Sequence, residues 1–166
     1  MKSCSRLLAL VTILAAFSPT LARAKDMQGR LGLGYNSEYA NAEQTGGVPG
    51  VSLKYGLTRD IATELVVGVA TTNPSNSVVG IKFFKNLFYE TNLNFYFMLG
   101  GGILSANSRS GAEFLGGFGA EFFIPGIESL GFAVETGGLF ENVSTGSFVL
   151  KTLGVSFLSA GIHFYF

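Results

Sequence analysis

The sequence predicts an all-β fold, an eight-stranded antiparallel up-and-down transmembrane β-barrel, and three observations carry that reading. The final residues alternate: Leu158, Ala160, Ile162, Phe164 and Phe166 are apolar, while Ser159, Gly161, His163 and Tyr165 fill the other register. A period of two is the signature of a strand. The chain holds 23 Gly and 16 Phe but only 13% charged residues, and in segment after segment Leu, Val, Ile or Phe alternates with Gly, Ala, Ser or an isolated charge. That is lipid outside and a crowded interior, the reverse of a soluble β-protein. Beyond the N-terminal segment, no run approaches the roughly 18 apolar residues of a transmembrane helix.

Residues 1–24 are expected to be a secretory signal peptide and residues 25–166 the barrel domain. Lys2 and Arg6 precede an apolar run from Leu7 to Phe17, and Ala22-Arg23-Ala24 offers a small-x-small cleavage site. Cys4 precedes the apolar run and leaves with it, so the remaining chain has no thiol for disulfides, metal or catalysis. Losing Lys2, Arg6 and Arg23 reduces 11 Lys+Arg to 8 against 11 Asp+Glu, a formal charge of −3. No cationic face for nucleic acid follows from that balance.

The eight strands follow in order. The first covers Gly29 to Tyr35, with Leu31, Leu33 and Tyr35 outward and Arg30 inward. The second, Gly50 to Leu57, turns Val51, Leu53 and Tyr55 outward against Ser52 and Lys54. Thr58-Arg59-Asp60 is a tight turn into the third, Ile61 to Thr71, where Leu65, Val67 and Val69 oppose Glu64 and Val66. The fourth starts near Val78, sets Val79, Ile81 and Phe83 against Lys82 and Phe84, and ends somewhere between Lys85 and Asn92. The fifth, Leu93 to Ile103, places Asn94, Tyr96 and Met98 inward.

The sixth, Ala112 to Phe123, sets Phe114, Phe118 and Phe122 against Glu113, Gly117, Gly119 and Glu121, and Pro125-Gly126 breaks it. The seventh runs from Leu130 to Leu139 with Glu135 inward; the eighth covers Val149 to Phe166, with a bulge or bend near Gly154. An even count lets the sheet close, and lipid demands closure because it offers no partner to an open strand edge. With both ends in the periplasm, the outer loops are Asn36–Pro49, Thr72–Ser77, Ser105–Gly111 and Glu141–Phe148.

The inward register collects Arg30, Lys54, Glu64, Lys82, Glu113, Glu121 and Glu135, a lumen charge network in which opposite charges are expected to pair. Eight strands leave a lumen that side chains fill, so a salt-bridged plug is expected in place of an open pore. Lys82 and Glu113 are expected near the rims, within reach of water. His163, the single histidine, has Ser159, Tyr165 and Glu135 as candidate neighbours, but no paired nucleophile motif surrounds it. Neither a metal cluster, a calcium loop nor a phosphate-binding glycine loop is visible, so no cofactor is expected. Tyr35, Tyr55, Phe83, Phe88, Tyr89, Phe122, Phe123, Phe140, Phe164 and Phe166 fall near strand ends, where they suit two interfacial girdles.

From the signal Met1 to Ala24, the stretch Gly50 to Leu57, the hairpin Val51 to Val69 and the terminal Gly161 to Phe166, the chain resembles small eight-stranded outer-membrane barrels of Gram-negative bacteria. That group includes the OmpA transmembrane domain and OmpX-type proteins. The resemblance implies residence in the bacterial outer membrane, contact with its lipid and lipopolysaccharide, and insertion by the barrel assembly machinery. That machinery recognises a final aromatic strand, here Leu158, Ala160, Ile162, Phe164 and Phe166. Roles in the group include envelope anchoring, adhesion, host interaction and small-molecule passage. With the chain ending at Phe166, no peptidoglycan-binding domain is expected.

The deacylases among lipid-A-modifying barrels use a His followed closely by Ser, whereas His163 is followed by Phe164 and Tyr165. The expectation is therefore a monomeric, non-enzymatic barrel contributing to envelope structure or surface interaction. A narrow channel or carrier for small or apolar solutes is the alternative, and a lipid-modifying enzyme the third reading.

Overall fold

The computed structural model describes residues 26–36, 50–71, 75–106, 109–142, 147–153 and 158–166. Among the described residues nine strands form one sheet: β1 (Leu31–Asn36), β2 (Gly50–Gly56), β3 (Ile61–Ala70), β4 (Asn76–Glu90), β5 (Leu93–Ala106), β6 (Arg109–Ile124), β7 (Ile127–Glu141), β8 (Val149–Thr152) and β9 (Ser159–Tyr165). Every pairing is antiparallel and joins neighbours in sequence from β1 to β7. β8 and β9 both pair with β7, at Gly138–Glu141 and Leu130–Glu135, so together they make one stave. β9 pairs with β1 and closes an eight-stave barrel.

The bulge or bend expected near Gly154 lies outside the described residues, but the register on either side of it can be read. Gly138 and Glu135 are three positions apart in β7, but their partners Thr152 and Ser159 are seven positions apart. The last stave thus carries four more residues than the strand it lines. Because four is even, Lys151 and Leu153 before it and Ser159, Gly161 and His163 after it keep one inward register.

The alternation puts apolar side chains outside. Leu33, Val51, Val69, Ile103, Phe114, Val134 and Phe164 are exposed, along with most outward positions. Among the described residues no helix is long and apolar enough to cross a membrane, which says nothing of a β-barrel. Inside, Val66, Val78, Met98, Leu104, Leu115, Leu139 and Leu153 pack with Phe84 and Tyr96. Gly117 and Gly137 face each other across β6 and β7, and a Cβ on either would strike the other strand's backbone. No other residue fits that close approach.

Several boundaries differ from the sequence reading. β6 and β7 are longer than expected, and their turn shrinks to Pro125–Gly126, with Gly126 at φ 86°. That positive φ is what Gly supplies at a tight turn. β4 runs on to Glu90 through a register shift at Asn86/Phe88, so the fourth turn is only Thr91–Asn92. Ala106 pairs with Arg109, which narrows the third outer loop. Phe123, expected in a girdle, points into the lumen and packs on Met27 and Tyr165. The short turns and both described ends of the chain gather at one rim, the turn end; the opposite rim is the loop end.

Candidate functional site

The lumen is built on the inward register, and its centre is ionic. Lys54 of β2, Glu64 of β3 and Lys82 of β4 are cross-strand neighbours (Lys54↔Glu64, Glu64↔Lys82), so three adjacent strands present alternating charge. Lys82 Nζ lies 3.0 Å from Glu64 Oε2 and, across the lumen, 3.4 Å from Glu135 Oε2 of β7. Lys54 Nζ lies 2.9 Å from Glu121 Oε2 of β6 and 4.4 Å from the centre of the Phe84 ring, a cation–π distance.

Two lysines thus face three glutamates, and neutral donors complete the set. Tyr96 donates to Glu135 Oε1 at 2.6 Å, and Tyr165 to Glu121 Oε1 at 2.5 Å. Asn36 reaches Glu64 at 3.5 Å. Such pairing is what makes buried charge tolerable.

Of the seven residues assigned to this network, the structure brings together Lys54, Glu64, Lys82, Glu121 and Glu135. Lys82, expected near a rim, is fully buried at 0% exposure in the middle of the network. Arg30 lies outside it. It sits half-buried before β1, donates to the Glu128 carbonyl at 3.3 Å and lies over the Tyr165 ring. Glu113 is near the loop end but also buried, contrary to the expectation of a hydrated rim.

Along the facing inward positions of β6 and β7 the order is Glu113/Glu141, Leu115/Leu139, Gly117/Gly137, Gly119/Glu135, Glu121/Ala133. Glu113 is therefore separated from the central charges by a leucine pair and a glycine pair. Its companions are Glu141 and Lys151; the sequence reading puts Glu141 in an outer loop, whereas it extends β7. The unbroken alternation Glu135, Gly137, Leu139, Glu141 is the signal that locates it.

His163 has other neighbours than Ser159 and Glu135. Its Nε2 lies 2.9 Å from Ser52 Oγ and 3.1 Å from Glu64 Oε1, and its Nδ1 lies 3.5 Å from Glu121 Oε1. A serine, an imidazole and a carboxylate in this order invite a hydrolase reading. The donor inventory argues against it. Glu64, ion-paired with Lys82, only accepts, so Nε2 carries the hydrogen and has no lone pair for the Ser52 proton. Ser52 and His163 are both buried.

At the turn end, Met27 lies beneath the network against Phe123 and Tyr165. A crevice reaching Lys54, Glu121 and Tyr165 from that side holds about 10 Å³, which is about the space of one water. Among the described residues no three His, Cys, Asp or Glu side chains gather to hold a metal. Leu158, Ala160, Ile162, Phe164 and Phe166 all face outward, on the side opposite this network.

No protein-family profile matches the sequence, and no curated protein matches it. The N-terminal β-barrel domain of Pseudomonas aeruginosa OprF is similar in structure, with TM-score 0.51 and 14% identity over 82% of this chain and 96% of that one. The Yersinia pestis outer membrane protein Ail gives TM-score 0.47 and 14% identity over 84% of this chain and 100% of that one. The protein therefore has the fold of the small eight-stranded outer-membrane barrels. Its apolar belt is turned outward, the arrangement of a barrel whose wall faces lipid.

Proposed function

We propose that the protein is a non-enzymatic outer-membrane barrel whose lumen is closed by its own side chains, and that it serves envelope structure or surface interaction. One observation carries this reading: Lys82 spans the lumen between Glu64 and Glu135, with Lys54 and Glu121 paired beside it. The packing of Val66, Val78, Leu104, Leu115, Leu139 and Leu153 above this bar supports the reading, as does the crevice at Met27 below it, about one water in size. A solute path would have to break several buried ion pairs at once.

The donor assignment at His163 and the burial of Ser52 support the absence of hydrolysis. The outward, aromatic-ended strand from Leu158 to Phe166 supports insertion by the barrel assembly machinery into a membrane of phospholipid and lipopolysaccharide. A filled lumen leaves the loops and the outer wall as the surfaces that meet partners. Planar-bilayer recording tests the plug: no stable conductance is expected, and a large reproducible one would overturn the reading. Lipid profiles unchanged by deletion or overexpression are the matching expectation for the absence of lipid chemistry.

A further inference from the structure

Glu113 of β6 and Glu141 of β7 are direct cross-strand partners at the loop end of the lumen. Both point inward and are buried, at 1% and 0% exposure. Like charges directly opposite each other destabilise a sheet, and buried carboxylate oxygens without partners are costly. Here Glu113 Oε1 and Glu141 Oε2 have no hydrogen-bond partner among the described residues. The charges that act on Glu113 are Glu141 and Lys151. Lys151 of β8 is ion-paired with Glu141 through Oε1, leaving Oε2 unused. Below the pair, Leu115 and Leu139 form an apolar floor that cuts it off from Lys54 and Lys82.

We propose that Glu113 and Glu141 form a binding site for one hard divalent cation of the calcium or magnesium class, with Lys151 standing in the cation's place when the site is empty. The free donors are all carboxylate oxygens, which select hard cations over zinc or copper. Two carboxylates, with water completing the shell, are a common protein contribution to such ions. Lys151 is the removable element: its side chain is 33% exposed, against 1% for Glu141. Turned into water, it leaves two negative charges for two positive ones.

Calcium titration by calorimetry on the barrel refolded in zwitterionic nanodiscs, which carry no anionic headgroups, tests the site. The expected result is one saturable calcium per barrel, weakened at least about tenfold in Glu113→Gln and in Glu141→Gln. Lys151→Gln should tighten binding about tenfold, the worth of one charge-assisted contact. The heat-induced gel shift of a folded barrel checks each variant.

A second measurement needs no substitution: infrared difference spectra of the wild type should show glutamate carboxylate bands moving on calcium addition. The proposal is overturned by lack of saturable binding in both wild type and Lys151→Gln, or by binding that survives both glutamine variants. It is equally overturned if Lys151→Gln leaves affinity unchanged. A protonated carboxyl band indifferent to calcium would also overturn it, by assigning the pair a shared proton.

Discussion

The two ends of one inward ladder treat glutamate in opposite ways. At the centre, Glu64, Glu121 and Glu135 each meet a lysine and at least one further donor, drawn from five strands. At the loop end, Glu113 faces another glutamate and a single lysine that is already bonded elsewhere. The same residue type in the same register is a structural tie in one place and an unmet charge in the other. Burial of a charge is therefore no guide to its role; the inventory of partners is.

The largest expected effect comes from breaking the centre. Lys82→Met strands Glu64 and Glu135 and should lower the unfolding free energy by about 3–5 kcal/mol in a urea titration followed by circular dichroism. Converting the two glutamates to glutamine in the same chain should recover most of that loss, since the penalty lies in the unpaired charges.

The comparison is sharpened by making one substitution at both ends. Glu121→Gln gives up the charge that answers Lys54 and accepts from Tyr165, and should cost about 3 kcal/mol. Glu113→Gln removes a repulsion and should leave stability unchanged or raise it by about 0.5 kcal/mol. Equal losses at the two sites would dissolve the distinction.

The smallest effect lies outside the lumen, in the turn between β2 and β3. Asp60 accepts from Tyr89 and pairs with Lys85, and these contacts, the Tyr89 hydrogen bond foremost, hold its carboxyl below the ordinary 3.8. A depressed folded value stabilises at pH above the unfolded one, and the gain is lost as pH falls through the folded value. Tyr89→Phe should move the Asp60 titration upward in carbon-detected NMR, with little change in the urea midpoint.

Most of the barrel was legible because a strand writes its two faces into the chain with period two. Leu31 to Tyr35, Val51 to Tyr55 and Leu158 to Phe166 needed nothing else. The ends of strands were less legible: Glu90, Arg109 and Glu141 are held by pairing with the next strand, and polar residues there read as loop. Phe123 misled for a related reason, since its nearness to a strand end suggested a girdle while its parity pointed inward.

Within the site, inwardness was legible and partnership was not. Nothing local links Lys82 to Glu135, or His163 to Ser52 and Glu64, because those contacts are fixed by how the staves are staggered on closure. Arg30 shows the limit from the other side: its parity is inward, but it precedes β1 and settles under the rim.

The four-residue surplus in the final stave carries a consequence for how such a wall varies. Adding or removing two residues there would return His163 and Tyr165 to the interior, whereas a change of one would exchange Ile162 and Phe164 with them. Length in that strand is thus quantised in steps of two, and natural variation at this place should be written in even numbers.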